Sequence, residues 1–256
     1  MTARVNAKEL EAKVKEMYRD VAQNPHGEFH FEMGRVMAER LGYAPADLDR
    51  IPSEAIDSFA GVGFFFDLAE LKPGETVLDL GSGSGMDSFV AAVKVGTNGK
   101  VFGIDMTDEQ LAKAERLRKE CGFDIVNYKK AYIEETGVEG GSIDCVISNG
   151  VINLAPDKGR VFREAARLLK KGGRLSIADI VTDLTLPESI VCNADLWAAC
   201  IGGAAQRDAY RSAIESAGLN VVTVKENPAY RFISDSAQGA TKKFGVKSVS
   251  ILARKP

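Results

Sequence analysis

Three glycines at alternate positions, preceded by an acid, form the stretch of this sequence whose residue types could do chemistry. An apolar run beginning at Val77 leads into the turn Gly81-Ser82-Gly83-Ser84-Gly85, and helix-like sequence follows. A second apolar segment, residues 101–105, ends in Asp105 about one βαβ unit later. Glycines lack a Cβ and let the backbone approach a ligand closely. The pattern predicts a nucleotide site at the carboxyl end of a parallel sheet.

The position of Asp79, two residues before the first glycine, indicates which nucleotide binds. A dinucleotide site uses G-x-G-x-x-G spacing and aims a helix N-terminus at a pyrophosphate, whereas the spacing here is G-x-G-x-G. The carboxylate of Asp79 would repel a pyrophosphate but would pair with an ammonium group. That preference suits the amino-acid end of S-adenosyl-L-methionine, which also carries a sulfonium charge. A glycine-rich turn in another kind of α/β protein is the alternative.

The two motifs suggest how this cofactor would lie. The residues expected at its methionine end are those of the turn and the acid before it: Asp79, Gly81, Ser82, Gly83 and Gly85. The carboxylate of Asp105 can accept hydrogen bonds from both ribose hydroxyls. Met106 follows and could cover the adenine face, although core packing explains an apolar residue there equally well.

Two polar residues, Ser148 and Asn149, end a later apolar segment. Ligands bind outside the carboxyl ends of parallel strands. We therefore expect Ser148 to contact the cofactor and Asn149 to lie where the methyl group is transferred. Turn chemistry is the alternative, because an Asn-Gly pair such as Asn149-Gly150 is common in turns.

Composition limits the partners and the compartment. The 256 residues include 33 Lys and Arg against 36 Asp and Glu, so the net charge of −3 does not steer the chain to nucleic acid or an anionic membrane. No apolar stretch approaches a membrane span, and the polar N-terminus has no signal core. Four cysteines without a C-x-x-C pair indicate reduced thiols. We expect a cytoplasmic protein that acts on a small molecule and holds no metal ion, while its oligomeric state stays open.

The order of predicted elements indicates an α/β fold. Helical periodicity from Asn6 to Ala22 and again over residues 32–41 predicts a helical N-terminal cap, residues 1–72. Seven strands, most of them alternating with helices, predict a doubly wound, mostly parallel sheet in a core of residues 73–256.

Two local features of the core are also predicted. Thr107 with Gln110 matches a capping box at the start of a helix. A helix predicted from Pro187 to Ala205 forms an insertion of about residues 185–207 after the fifth strand.

These motifs together resemble those of the arsenite methyltransferases, which belong to the class I S-adenosylmethionine-dependent methyltransferases. The matching segments are residues 41–43, 51–52, 77–87, 103–107, 146–154 and 197–204, within a similarity over roughly residues 40 to 218. The resemblance implies a Rossmann-like sheet that ends in a late strand pair at its edge. It also implies that the turn after the third strand reaches the adenine, which makes Ile133 and Glu134 expected cofactor contacts. Core packing is the alternative for Ile133.

The cysteines that the resemblance implies for As(III) binding are incomplete here. Soft As(III) prefers thiolate ligands, and Cys200 matches one cysteine of the family. Gly150 and Val62 stand where the family carries the other two. Cys192 lies eight residues before Cys200, on a broadly similar helix face, and As(III) methylation would use both, although the two are not an established arsenic pair. The nearby Phe64-Phe65-Phe66 would form an apolar wall, or pack between cap and core. We therefore expect a small organic acceptor, with As(III) methylation as the alternative.

A base for methyl transfer could come from the cap, which holds both histidines of the sequence, His26 and His30. An acceptor hydroxyl would need a base within hydrogen-bond reach. We expect His30, Tyr18 and Asn149 to be catalytic, although surface histidines near a turn are the alternative. Two other classes stay open: a module that binds the cofactor without turnover, and an NAD-dependent enzyme.

Overall fold

A computed structural model describes residues 6–191 and 201–256, and their strands form a single sheet. The strands are β1 (Thr76–Leu80), β2 (Lys100–Asp105), β3 (Val126–Lys130), β4 (Ile143–Asn149), β5 (Leu169–Thr182), β6 (Ala205–Gln206), β7 (Asn220–Glu226) and β8 (Lys247–Arg254). Seven of them lie in the order β3-β2-β1-β4-β5-β8-β7, and the short β6 pairs with β5 beside this path. Among the described strands, β8 alone runs opposite to the direction of the others. The predicted doubly wound, mostly parallel sheet is confirmed.

Helices cover the sheet and form most of the chain before it. They are α1 (Ala7–Gln23), α2 (Arg35–Leu41), α3 (Pro45–Leu48), α4 (Ser53–Asp57), α5 (Phe66–Ala69), α6 (Met86–Val95), α7 (Asp108–Glu120), α8 (Lys158–Leu168), α9 (Glu188–Val191), α10 (Arg207–Ser216) and α11 (Asp235–Phe244). Asn6 caps α1, since its side chain accepts from the amides of Lys8 and Glu9. Among the described residues, no helix combines the length and the apolar character that crossing a membrane requires.

The central strands of the sheet are buried on both faces. Leu78 and Leu80 of β1 and Val146 and Ile147 of β4 are fully buried. Such continuous burial is typical of parallel strands that are covered on both faces. At the edge, β7 instead exposes 55% of Val222, in agreement with a strand that is open on one side.

Two apolar clusters lie on the two faces of the sheet. One joins the cap to α6 and includes Leu10, Met37 and Phe89. The other joins α8 to α10 and includes Phe162 and Tyr210. Because the cap shares its cluster with the sheet, it is part of the packed molecule, and the division at residue 72 stays a prediction.

The predicted capping box at α7 is wrong. Thr107 makes no side-chain cap, and Gln110 accepts a hydrogen bond from Ser84 Oγ (2.5 Å) while donating to the carbonyl of Tyr18 (2.7 Å). Gln110 thus ties α1 to the glycine turn. Its partners are distant in the sequence, so a local motif could not reveal them.

The insertion after β5 differs from the single helix predicted to reach Ala205. It begins with α9, but Ala205 pairs with Val181 as part of β6. Cys192, Trp197 and Cys200 lie outside the described residues. Helix α11, between β7 and β8, has no counterpart among the predicted elements.

A buried ion pair fastens the end of the cap to the sheet. Arg174 of β5 donates to both carboxylate oxygens of Glu75, at 2.9 and 2.6 Å, and its side chain is 8% exposed. The same guanidinium donates to the carbonyls of Ala69 and Glu70. Glu70 has a left-handed φ of 45°, which is uncommon for a residue with a side chain. Arg174 therefore stabilises the turn that precedes β1.

Replacing Arg174 by Leu is expected to lower the free energy of unfolding by about 3 kcal/mol or more, because Glu75 and two carbonyls lose a buried partner. Arg116→Leu is the matched control: its ion pair with Glu54 is exposed, and it should cost less than about 1 kcal/mol. Urea unfolding of both variants measures the difference. Equal losses would contradict this role for Arg174.

Candidate active site

A cavity opens at the carboxyl ends of β1, β2 and β4, and the cap forms its opposite wall. The core contributes residues 105–107 and 131–134 and parts of 79–87 and 149–156, whereas the cap contributes side chains of α1 and residues 55 and 58–61. The lining includes the following predicted site residues: Tyr18, Asp79, Gly81, Ser82, Gly83, Asp105, Met106, Ile133, Glu134 and Asn149. This is the position at which ligands bind in open α/β sheets.

The glycine turn follows directly from β1 and is shaped by its neighbours. Gly81 has a φ of 75°, and a Cβ there would lie 2.5 Å from both γ carbons of Val151. The amide of Gly83 donates to Asp105 Oδ2 (2.9 Å), and that of Thr107 donates to Asp105 Oδ1 (2.8 Å). Asp105 therefore fixes the turn against the end of β2 in addition to facing the cavity.

Two groups of the turn region fit a bound ligand. Ser82 is 8% exposed, and its Oγ is buried with no hydrogen-bond partner among the described residues. A buried hydroxyl of this kind is expected to be satisfied by a ligand or water. Asp79 is 2% exposed, and Oδ2 accepts from Ser88 Oγ (2.7 Å), which leaves acceptor capacity for an ammonium group. These groups fit the amino-acid end of S-adenosylmethionine.

The cavity is lined by acids. Its described lining contains five carboxylates and no Lys, Arg or His; the five are Glu11, Asp79, Asp87, Asp105 and Glu134. At the mouth, Glu11 accepts from Lys15 (2.6 Å) and from the hydroxyl of Tyr132 (2.7 Å), a contact that joins α1 to the segment after β3. Among the described residues, the three inner aspartates accept hydrogen bonds from neutral donors only, so a ligand that carries positive charge is favoured.

Burial governs how these acids titrate. It raises the pKa of Asp79 well above its usual range, and the carboxylates of Asp87 and Asp105 raise it further. Burial also raises the pKa of Asp87 to about 6, although hydrogen bonds from Tyr43 and Asn149 oppose the shift. The pKa values of Asp105 and Glu134 are raised for the same reason. A cation in the cavity would favour the ionised forms.

The side-chain amide of Asn149 is surrounded by hydrogen-bond partners from the protein itself. Its Oδ1 accepts from the amides of Val62 (2.8 Å) and Gly63 (3.3 Å). Its Nδ2 lies within hydrogen-bond distance of the hydroxyl of Tyr43 (3.1 Å), the carbonyl of Gly63 (3.1 Å) and Asp87 Oδ2 (3.0 Å). The amide therefore holds residues 61–63 through its protein partners, and the catalytic role of Asn149 stays a prediction.

Three other predicted site residues do not line the cavity. Ser148 is buried and donates to the carbonyl of Leu80 (2.7 Å), so it braces β4 against β1. Gly85 begins α6 with a φ of 95°, and a Cβ there would meet the Tyr128 side chain. His30 is exposed and lies outside the lining, which does not support its predicted catalytic role. Tyr18 does line the cavity, and its ring stacks on Phe31.

Tyr43 and Asp87 belong to the site, although neither was predicted from the sequence to be a site residue. The hydroxyl of Tyr43 donates to Asp87 Oδ1 (2.5 Å), and the two side chains are 2% and 6% exposed. Rings of Phe59, Phe64 and Phe66 surround Tyr43 at centroid distances of 5.0 to 6.0 Å. Both residues lie in segments that resemble the family, and this resemblance was the only sequence feature that could have indicated a role for them. None of Phe64, Phe65 and Phe66 is in the described lining of the cavity; Phe64 and Phe66 pack on Tyr43, and Phe65 packs on Phe66.

The two positions where the family would carry cysteines face each other. A Cβ built on Gly150 would lie 3.0 Å from Val62 Cγ1, and Val62 is 1% exposed. Side chains of residues 62 and 150 could therefore touch, which agrees with their matching a pair of ligands. In this chain the space is filled by a valine methyl group.

Comparison with known proteins agrees with this geometry. A family model described as a methyltransferase domain matches residues 71–218. The arsenite methyltransferase of Halobacterium salinarum is 37% identical over 222 residues, 86% of this chain and 56% of the relative. The arsenite methyltransferase of Homo sapiens is 40% identical over 176 residues, 62% of this chain and 47% of the relative. The chain spans about half the length of these relatives.

A solved structure also matches. The crystal structure of an arsenic(III) S-adenosylmethionine methyltransferase from Chlamydomonas reinhardtii aligns with a TM-score of 0.65 and 30% identity. The alignment covers 87% of this chain and 74% of that one.

The chain belongs to the class I S-adenosylmethionine-dependent methyltransferases. Within this class of enzymes it is similar to the arsenite methyltransferases. The predicted family and the predicted cofactor, S-adenosylmethionine, are confirmed. The individual contacts expected of the cavity residues stay predictions.

Asp105→Ala is expected to weaken binding of S-adenosylhomocysteine about tenfold or more, because charge-assisted hydrogen bonds to the ribose are lost. Asp105→Asn keeps one acceptor oxygen and should fall between this variant and the wild type. Isothermal titration calorimetry gives the affinities, and thermal unfolding checks the fold. Wild-type affinity in Asp105→Ala would mean that the ribose lies elsewhere.

The affinity for S-adenosylhomocysteine is expected to fall as the solution is acidified. An ammonium ligand favours ionised Asp79 and Asp87, whose pKa values are raised in the free protein, so binding releases protons and strengthens as pH rises. For Asp87 alone, with a pKa of about 6, the loss between pH 7 and pH 5 is about tenfold. Calorimetry in buffers of different ionisation enthalpy measures the released protons. No proton release near pH 6 would contradict this coupling.

Proposed function

We propose that this enzyme methylates a small organic molecule held at the end of the cavity formed by Gly61, Asn149 and Val151. The observation that carries the proposal is the contact between positions 62 and 150. There the methyl group of Val62 fills the space that a pair of thiols would need, 3.0 Å from a Cβ on Gly150. Without these thiols, a thiophilic centre loses two of its three expected ligands.

Methylation of As(III) is the second candidate, and the comparisons favour it over an organic acceptor, since the two relatives described above are named arsenite methyltransferases. Cys200 matches one cysteine of that family. Small thiols from solution could supply the other ligands of As(III). The two candidates differ in whether turnover depends on As(III) and on Cys200.

In either case, the chain's residues position the reactants. When bound, the cofactor supplies an electrophilic methyl group on its sulfonium. Asp79 would hold the ammonium group, and Asp105 would hold the ribose hydroxyls. Asn149 keeps residues 61–63 against the end of β4, where the acceptor would lie. Alignment of the nucleophile and exclusion of water by α1 can lower the barrier by on the order of 7–11 kcal/mol.

Conversion of S-adenosylmethionine to S-adenosylhomocysteine, with and without As(III) and a thiol, tests the proposal. We expect no stimulation by As(III), and turnover with a member of a panel of small organic metabolites. Stimulation that disappears in Cys200→Ser would establish the second candidate instead. Cofactor binding without turnover on either kind of acceptor would indicate a binding module.

The double variant Val62→Cys with Gly150→Cys tests the reason for this expectation. It restores both thiols next to each other, so As(III) should bind more tightly than to the wild type. Val62→Ser with Gly150→Ser is the matched control without sulfur. Gly150 has a left-handed φ of 72°, which should cost about 1–3 kcal/mol of stability in both variants. Equal As(III) binding by the two would show that these positions do not form a thiol site.

A further inference from the structure

The charge of the cavity limits the acceptors it can hold. Its described lining includes Asp79, Asp87, Asp105 and Glu134 but no basic side chain. The sequence between Arg174 and Arg207, which contains the insertion, has no Lys, Arg or His. An acceptor with a phosphate, diphosphate or carboxylate group would thus enter a negative field without a cation to bind it.

The order of strands assigns the acids to different ends of the cavity. β1 lies between β2 and β4, so Asp105 at the end of β2 and Asn149 at the end of β4 lie on opposite sides of Asp79. If Asp105 binds the ribose and Asp79 the ammonium group, the acceptor lies on the Asn149 side. Asp87 belongs to that side, because its Oδ2 accepts from Asn149 Nδ2 (3.0 Å).

Asp87 is held firmly in place. Tyr43 fixes Oδ1 and Asn149 fixes Oδ2, yet each oxygen keeps a second lone pair and the residue lines the cavity. Both donors are neutral, so no described residue bonded to Asp87 cancels its negative charge. A cationic group of the acceptor would supply the missing charge.

We infer that the acceptor is an amine, and that Asp87, held by Tyr43 and Asn149, positions the amine for methylation. This inference rests on the proposed function, since it names the class of organic acceptor. The bound ammonium first loses a proton to solvent. The nitrogen lone pair then forms the N–C bond, the C–S electron pair stays on sulfur, and the methylated nitrogen carries the positive charge. A carboxylate beside the nitrogen stabilises that developing charge.

Binding of three probes of similar size to the protein saturated with S-adenosylhomocysteine tests the inference. At pH 7.5, n-butylamine should bind at least about tenfold more tightly than butyrate, with n-butanol between them. Ligand-observed nuclear magnetic resonance measures the affinities. Butyrate binding as tightly as n-butylamine would overturn the inference, whatever the acceptor turns out to be.

Variants assign the preference to Asp87. Asp87→Asn should remove most of the preference for n-butylamine over butyrate, and S-adenosylhomocysteine should still bind, although about tenfold more weakly because the charge of Asp87 also favours its ammonium group. Asp124→Asn, the same change at an exposed loop position, should preserve the preference. Tyr43→Phe keeps the carboxylate but removes one of the two side chains that hold it, so it should retain a preference for n-butylamine that is smaller than that of the wild type, which separates the charge of Asp87 from its positioning. An unchanged preference in Asp87→Asn would refute the role of Asp87.

The outcomes also separate this inference from the proposed function. Turnover that depends on As(III) would contradict the organic acceptor directly, and it is measured without the three probes. Turnover on a neutral or anionic organic molecule, with butyrate bound as well as n-butylamine, would keep the proposed function and refute the amine. Increased S-adenosylhomocysteine formation with amines, reduced in Asp87→Asn mainly through a higher KM, would support both.

Discussion

The side-chain amide of Asn149 connects the parts of the molecule on which the cavity depends. Asn149 is the last residue of β4, and its oxygen holds the backbone at Val62 and Gly63 of the cap. Its nitrogen faces Tyr43 and Asp87. Five polar contacts thus meet at one half-buried amide, and each contact that is lost leaves a partner unsatisfied. The position of the cap over the sheet follows from this group as much as from apolar packing.

The charge of the cavity is the reverse of that in a phosphate-binding site. Phosphates are usually bound at a helix N-terminus after a glycine-rich turn, where backbone amides and the helix dipole attract an anion. Here the helix after the turn, α6, has Asp87 in its first turn, and Asp79 precedes the glycines. These carboxylates offset the dipole of α6, so the same backbone geometry favours a cationic ligand. A sulfonium cofactor with an ammonium group has that character.

The parts of the site that sequence could predict are those carried by local pattern. Asp79, the glycine turn and Asp105 lie at ends of apolar strands, so their convergence follows from the parallel sheet alone. Asn149 was predicted to lie in the cavity, but its partners Tyr43 and Val62 are 106 and 87 residues away. No periodicity reveals such contacts, and so its amide was expected to be free for chemistry. The short helices of the cap were missed for a related reason, because four or five residues are too few to show a helical period.

The contact between Val62 and Gly150 also limits the order in which the two positions can change. A side chain at 150 meets the Val62 methyl group at 3.0 Å and must accept a φ of 72°. If residue 62 becomes smaller first, a later side chain at 150 no longer meets the Val62 methyl group, and only the cost of the left-handed φ remains. The two sites are therefore epistatic: a substitution at 150 should be tolerated better after one at 62, and in the opposite direction the larger residue at 150 should be lost before valine can enter at 62. Among proteins that differ from this chain by single substitutions, we expect some with a smaller residue at 62 and glycine at 150, but none with valine at 62 and a larger residue at 150.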